Sequence, residues 1–296
     1  MNILIYMRNH LNDKKLKILT KLIITTSTDM TTNFILIDGS YFCFFRYYAM
    51  MQWWSLAKQD EPIGIPIENC EFVKKFVSTF IDKIHDIKKK LNIENPITIV
   101  AKDCPRSNIW RYNLFQSYKA SRCNSKEFFG GPFFKMAYDR LWSEAGVNAI
   151  VGLDKLEADD CIALTVERIL ETIEDAHIWI IASDMDYLQI VSLRVSLYNL
   201  KYQDVSKSKN AYGNPDIDKF CKIVCGDKSD DIPGVFKKCG PKTAIKLYND
   251  IKTFEEKLKS EDGAEDRFKL NTTLIDFNMI PSELRNKFRC DVLGCV

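Results

Sequence analysis

The sequence predicts an α/β protein with a central, mainly parallel sheet covered by helices, on three observations. FILID (34–38), ITIVAKD (97–103) and HIWIIASDMD (177–186) are short, apolar, β-rich runs, and each ends in aspartate. Segments of helical period lie between them, CEFVKKFVSTFIDKIHDIKKKL (70–91) and EADDCIALTVERIL (157–170). Strand–helix–strand alternation implies βαβ units, whose crossovers lay helices on the sheet faces.

Along the chain, residues 1–30 come first and carry Arg8, Lys14, Lys15, Lys17 and Lys21 against Asp13 and Asp29. They read as a targeting leader or as an upstream-start extension ahead of Met30, disordered in either case. The first strand begins after Asn33. The three strand runs should all point their carboxyl ends the same way. Ligands of such sheets bind in the crevice at those ends, so Asp38, Asp103, Asp184 and Asp186 should converge on one rim. Asp184 and Asp186, two apart on an extended segment, should face the same way.

Composition narrows the class without deciding it. The chain has 296 residues, 46% of them hydrophobic and 28% charged, enough to bury a sizeable core. A formal net charge of +2 announces no global basic field, so any nucleic-acid surface must come from local clustering. Ten cysteines without a CxxC pair read as reduced thiols in an intracellular, soluble protein, and Cys221 and Cys225 as a helix core face rather than a metal pair. No apolar stretch of about 18 residues is free of charge, which argues against a membrane span.

LEADDCIAL (156–164) places Glu157, Asp159 and Asp160 at the opening of a helix. Acids in a first turn suit the helix dipole, so capping alone accounts for one such cluster. Four clusters at strand ends and loop edges demand more. Carboxylates about 4 Å apart repel by roughly 1 kcal/mol per pair in water and about 4 kcal/mol at an effective dielectric near 20. Arginines or shared protons could neutralise them. Hard divalent cations suit an all-oxygen set in a chain whose only histidines are His10, His85 and His177. Mg²⁺ fits such ligands best, with Mn²⁺ as a substitute, and two ions about 3.5 to 4 Å apart could act on a phosphodiester.

A second constellation, GDKSDDIPGVFKKCGPKTAIKLY (226–248), adds Asp227 and Asp230, then a turn with Pro233, Gly234, Gly240 and Pro241, then a helix with Lys242 and Lys246. Its backbone amides, with Lys237, Lys238 and Lys242, could grip a duplex phosphate backbone without reading sequence.

Together ILIDGSYF, AKDCPRSNIWRYNLFQSYKASR, LEADDCIAL, ASDMDYLQI and GDKSDDIPGVFKKCGPKTA, in that order over about 34–250, resemble the five-prime nuclease superfamily: flap endonucleases, phage RNase H-type exonucleases and the five-prime nuclease domains of bacterial DNA polymerases. The resemblance implies a PIN-like fold with a helical arch at about 104–135 and a C-terminal helix-hairpin-helix-type (helix-three-turn-helix) DNA-binding region. It divides the chain into a catalytic domain over 31–205 and a helical DNA-binding region with a tail over 206–296. Asp38, Asp103, Glu157 and Asp159 would hold one metal ion, and Asp184, Asp186 and Asp227 the other. Asp160 and Asp230 would be direct or water-mediated ligands, while Asp231 stands where bacterial relatives carry Asn and is left out.

The resemblance also assigns Arg111 and Lys119 to the scissile phosphate, beside Asp38 and Asp184 as catalytic carboxylates. Arg106 and Arg122 join them as basic residues of the arch, interleaved with Trp110, Phe115, Phe128 and Phe129 as base stacking requires. Arg46 matches an arginine near the substrate's terminus, although Asp38 to Arg46 and Asp103 to Lys119 are each one residue longer than the bacterial spacing. Gly234, Val235, Lys238, Gly240, Lys242 and Thr243 would hold duplex, with K⁺ at the hairpin.

The implied activity is metal-dependent, structure-selective 5′–3′ exonuclease or flap endonuclease cleavage of DNA at a 5′ flap, nick or free 5′ end, RNA-primer junctions included. A non-catalytic binder of the same fold is the alternative, disfavoured because no member of the acid set is replaced. A PIN-like ribonuclease would leave GVFKKCGPKTA unexplained. Residues 251–296 carry no clear clamp-binding peptide, so a clamp or polymerase partner has no motif behind it.

Overall fold

The computed structural model describes residues 32–124 and 128–294; the leader 1–30 and Lys126, a further basic residue of the expected arch, lie outside them. Five strands, β1 (Thr32–Asp38), β2 (Ile97–Ala101), β3 (Ala149–Val151), β4 (Ala176–Ile181) and β5 (Val195–Tyr198), form one sheet in the order β3-β2-β1-β4-β5. Every pairing is parallel, with Asp38 beside Ala101 and Ile37 beside Ile181. β1 buries four consecutive residues and β2 all five, as strands covered on both faces must.

One face carries α1 (Gly39–Ala57) and α2 (Cys70–Lys90). Phe72, Phe76, Phe80, Ile84 and Ile87 of α2 lie three or four apart and form a single apolar stripe. Asn69 caps α2 by accepting from Phe72 N–H, and Lys88, Lys89 and Lys90 complement the dipole at its far end. A helical segment built of α3 (Gly131–Met136), a π turn (Ala137–Leu141) and α4 (Trp142–Glu144) completes this layer. Gly39 opens α1 where a Cβ would stand 2.2 Å from the Tyr138 hydroxyl and 2.6 Å from the Ala101 carbonyl oxygen, so only glycine fits.

The other face is covered by α5 (Ala158–Thr172), the helix that EADD opens. Its core also includes Phe277, Leu284, Phe288 and Leu293 from the end of the chain. α6 (Pro215–Cys225), α7 (Pro241–Asn249), α8 (Ile251–Ser260) and α9 (Ala264–Ile275) share a smaller core around Val224, Val235 and Phe254. α10 (Ser282–Phe288) and the π turn 289–294 then return to α5, where Arg285 pairs with Glu167 and Arg289 with Glu171. The last stretch, the tail of the 206–296 region, thus packs with the core of the sheet and α5.

The stretch expected to form a helical arch differs too. Its described residues make short 3-10 turns at Arg106–Asn108, Trp110–Asn113 and Ala120–Asn124, with α-helix only from Gly131. Pro105 and a left-handed Lys119 (φ 54°) interrupt any longer helix, and the turns are tied down by neighbours instead. Lys119 N–H donates to the Asp230 carbonyl (2.9 Å) and Ser121 N–H to the Asp231 carboxylate (2.8 Å).

Candidate metal and nucleic-acid site

The carboxyl ends of β1, β2 and β4 open into a cleft of about 520 Å³ lined by Asp38, Asp103, Glu157, Asp159, Asp184 and Asp227. Each acid is aimed by its own backbone setting. Asp38 caps α1, accepting from Tyr41 N–H (2.9 Å) through one oxygen and from the Tyr187 hydroxyl (3.1 Å) through the other. Asp103 accepts from Ala158 N–H (2.8 Å) and from the Ser40 hydroxyl, so β2 and the start of α5 are locked together at the cleft. Asp184 caps the 3-10 turn Met185–Ile190, accepting from Asp186 N–H at 3.0 Å. Asp186 therefore sits in a tight turn and not on the extended segment expected, yet both carboxylates still meet one cation, the Lys222 ammonium.

Among the described residues, two groups of carboxylates bring ligand oxygens within 4.8 Å of one another, Glu157 with Asp159 and Asp160, and Asp186 with Asp227 and Asp230. The cost of this crowding is visible in protonation. Burial, and then the neighbouring Asp103, push Asp38 up to about 7. Burial also lifts Asp186 to about 7 against the opposing pull of Lys222, and burial with Asp160 and Glu157 raises Asp159 well above the carboxylate range. Asp227 is held below that range: burial opposes its charge, but Lys222 at 2.9 Å and the Ser229 hydroxyl at 2.7 Å prevail.

Among the cations, Lys119 faces the cleft, paired with Glu157 and lying 3.6 Å from Asp230, and Arg122 lines it half-exposed while pairing with Asp230. Asp230 is itself buried, so it offers its charge to these cations and to the Tyr118 hydroxyl (3.3 Å). Lys222, which sequence reasoning missed, joins Asp184, Asp186 and Asp227. It sits on α6 outside every motif, and only its placement five residues before Asp227 on a helix leading into the acid loop hints at it.

Four expectations about the site need correcting, for Arg111, Asp160, Arg46 and Val235. Arg111, assigned to the scissile phosphate, is only 2% exposed and does not line the cleft. Its guanidinium bonds Asp160 twice (2.7 and 2.9 Å), Glu157 (3.0 Å) and the Leu274 carbonyl (2.8 Å). Burial opposes its charge, but the surrounding carboxylates, Asp160 foremost, more than offset this and keep it protonated. Asp160 is correspondingly sealed in, with no exposed surface, between Arg111 and the Trp110 indole N–H (3.0 Å). It is a buried counter-ion and not a cleft ligand in this geometry. Arg46 lies on α1 toward Asp82 and Asp86 of α2 and Tyr202, with Phe44 facing the cleft in its place. One extra residue in a helix turns a side chain by about 100°, which moves Arg46 off the cleft face.

In the basic hairpin, Lys238, Lys242 and Thr243 are exposed, Gly234 and Gly240 partly so, around the N-terminus of α7. Val235 is wholly buried and its N–H is already bonded to the Val224 carbonyl, so it has no amide left for a phosphate. Gly226, at φ 72°, makes the sharp exit from α6 that starts the Asp227 loop. Arg106 lies exposed outside the cleft, bonded to the Tyr112 hydroxyl (2.9 Å) and the Lys119 carbonyl.

Fold and site together define a parallel-sheet protein whose strand ends carry a carboxylate cleft able to hold metal ions, flanked by lysine and arginine. The family model for the 5′–3′ exonuclease, N-terminal resolvase-like domain, matches residues 33–218, and the chain belongs to that family. Among curated relatives, a 5′–3′ exonuclease of Mycoplasmopsis pulmonis (strain UAB CTIP) is 28% identical over 240 residues, 78% of this chain and 71% of its own length. Ribonuclease H of Enterobacteria phage T4 is 27% identical over 220 residues, 67% of this chain and 70% of its own. Among solved structures, the T5 D15 protein co-crystallised with metal ions superposes with a TM-score of 0.61 over 88% of this chain and 98% of its own, at 16% identity. At that identity the likeness is one of fold.

Proposed function

We propose that the protein is a metal-dependent 5′–3′ exonuclease and flap endonuclease that hydrolyses phosphodiester bonds of DNA near 5′ ends, RNA-primer junctions included, in replication or repair inside the cell. The observation that carries this is the meeting of Asp38, Asp103, Asp159, Asp184 and Asp227, from five separate places in the chain, in one cleft. A non-catalytic binder would have no use for carboxylates crowded until Asp38 and Asp186 resist ionisation near neutral pH. No described helix is long and apolar enough to cross a membrane.

The donor set fits two hard divalent cations: all oxygens, mostly carboxylate, mutually repelling and partly desolvated. Asp38, Asp103, Glu157 and Asp159 would hold one Mg²⁺, and Asp184, Asp186 and Asp227 the other, with Mn²⁺ able to substitute. Bound there, such ions supply an activated water and neutralise charge on the phosphodiester. The chain's own part is to hold and orient. Lys119 and Arg122, at the cleft wall, would take the non-bridging oxygens of the scissile phosphate, and Lys222 balances the second acid group. Lys238, Lys242 and Thr243 would hold duplex, and K⁺ is the cation proposed for the 226–240 loop.

With Mg²⁺, the protein should cut a 5′-flap oligonucleotide at the single-strand to duplex junction, and EDTA should abolish cutting. Asp184→Ala should cut at least about a hundredfold more slowly while still binding. If wild type and variant behave alike with and without EDTA, the reading is wrong.

A further inference from the structure

A second cavity, of about 480 Å³, opens beside the acid cleft and shares Ser40 and Asp103 with it. Its volume falls in the range of small-molecule and nucleotide pockets. The remaining walls are Lys102 at the end of β2 and Phe134, Lys135, Tyr138 and Asp139 of the helical segment that follows α3's start.

The cleft runs across the sheet from the β2 side, where Asp103 stands, to the β4 side, where Asp184 and Asp227 meet Lys222. The β4 side leads to α6 and on to α7 with its exposed Lys242 and Lys246. Turns 118–122 are bonded to the 227–231 loop, and Lys119 and Arg122 from them line the cleft. On the β2 side the cleft continues into the second cavity.

The chemistry of that cavity suits an unpaired nucleotide. The Lys102 ammonium lies 4.8 Å from the centre of the Tyr138 ring, and no carboxylate of the described residues is in ion-pair distance of it. Lys135 is the weaker donor, since Asp139 pairs with it at 2.6 Å. Phe134 packs edge-on to Phe44 (4.7 Å) and Phe128 (5.7 Å), and Phe44 in turn stacks with Tyr48 at 6.2 Å. Phe44, Tyr48 and Phe128 are 41%, 57% and 38% exposed, so an aromatic surface leads from the cavity into solvent. A cation without a carboxylate partner among the described residues, in a cavity whose Phe134 adjoins exposed rings, is the composition that takes single strands without regard to sequence.

We infer that this second cavity is the subsite for the first unpaired nucleotide on the 5′ side of the scissile bond, its phosphate held by Lys102 and its base against Phe134. The inference rests on the nuclease reading above and adds a route to it: duplex lies on the β4 side, and the single strand leaves past Asp103, over the aromatic surface.

The test compares a nicked duplex with 5′ flaps of one to six nucleotides, cut in Mg²⁺ and bound in Ca²⁺ by fluorescence anisotropy. Lys102→Glu should raise the Kd for flapped over nicked duplex by about tenfold relative to wild type. It should also reduce the steepness of the flap's log Kd against log salt by about 0.7, the value for one single-strand phosphate. Lys259→Glu, an equal charge change on α8, should leave the flap-to-nick ratio as in wild type. Lys102→Arg should restore it. If Lys102→Glu weakens flap and nick equally, or neither, the subsite is refuted while the nuclease reading stands. If the wild type cuts no substrate in Mg²⁺, the nuclease reading itself falls.

Discussion

Arg111 shows how a single side chain can be recognised in sequence and yet misassigned. The family resemblance assigns it to the scissile phosphate, but nothing local tells that Asp160 and the Leu274 carbonyl, the latter 163 residues away, enclose it. The consequence is energetic. Removing one partner of a buried ion pair strands the other, so Arg111→Leu should destabilise the protein by about 3 to 5 kcal/mol, and Arg111→Leu with Asp160→Leu by clearly less, read by urea unfolding. Equal losses in both variants would show that the pair is not internally compensated. Asp38 makes the opposite case, a site acid legible at once from its strand end. Its folded-state value near 7 lies above the unfolded 3.8, so the folded protein holds the extra proton between those values and its stability falls as pH rises from about 4 to 7. In EDTA, Asp38→Asn should therefore raise Tm more at pH 8 than at pH 5, by roughly 2–4 °C for each kcal/mol of strain relieved. A gain independent of pH would mean that Asp38 is not strained.

Among the elements, β1, β2 and β4 and the helices α2 and α5 could be placed from the sequence because their apolar spacing is local information, whereas α1 and the short strands β3 and β5 were not. The region 104–124 could not, because its conformation is set by partners in the 227–231 loop and not by its own periodicity. Arg46 failed for a related reason, since a one-residue difference in helix phase changes the face on which a side chain emerges. The basic hairpin was legible as a composition, although Val235 went to the core. Its proposed grip is electrostatic, so Lys242→Ala should weaken duplex binding and lower the salt slope by about 0.9. An unchanged slope in a binding titration would remove Lys242 from the interface.

Across the whole molecule, Asp38, Asp103 and Asp184, far apart in sequence, are brought together by a parallel sheet whose strands all end at one rim, where Asp159 of α5 and Asp227 join them. That convergence followed from βαβ alternation alone, because parallel strands cannot deliver their carboxyl ends anywhere else. What the sequence could not disclose was the return of α10 to α5 or the arrival of Lys222, both set by long-range packing that leaves no local pattern. The central claim is that these acids form two cation sites, one around Glu157 and Asp159 and one around Asp186 and Asp227. Mn²⁺ binding, counted by electron paramagnetic resonance on metal-free protein, tests it most directly. Wild type should bind two ions, and Asp159→Asn and Asp186→Asn should each lose one. No saturable binding in wild type, or the same stoichiometry in all three proteins, would contradict the account.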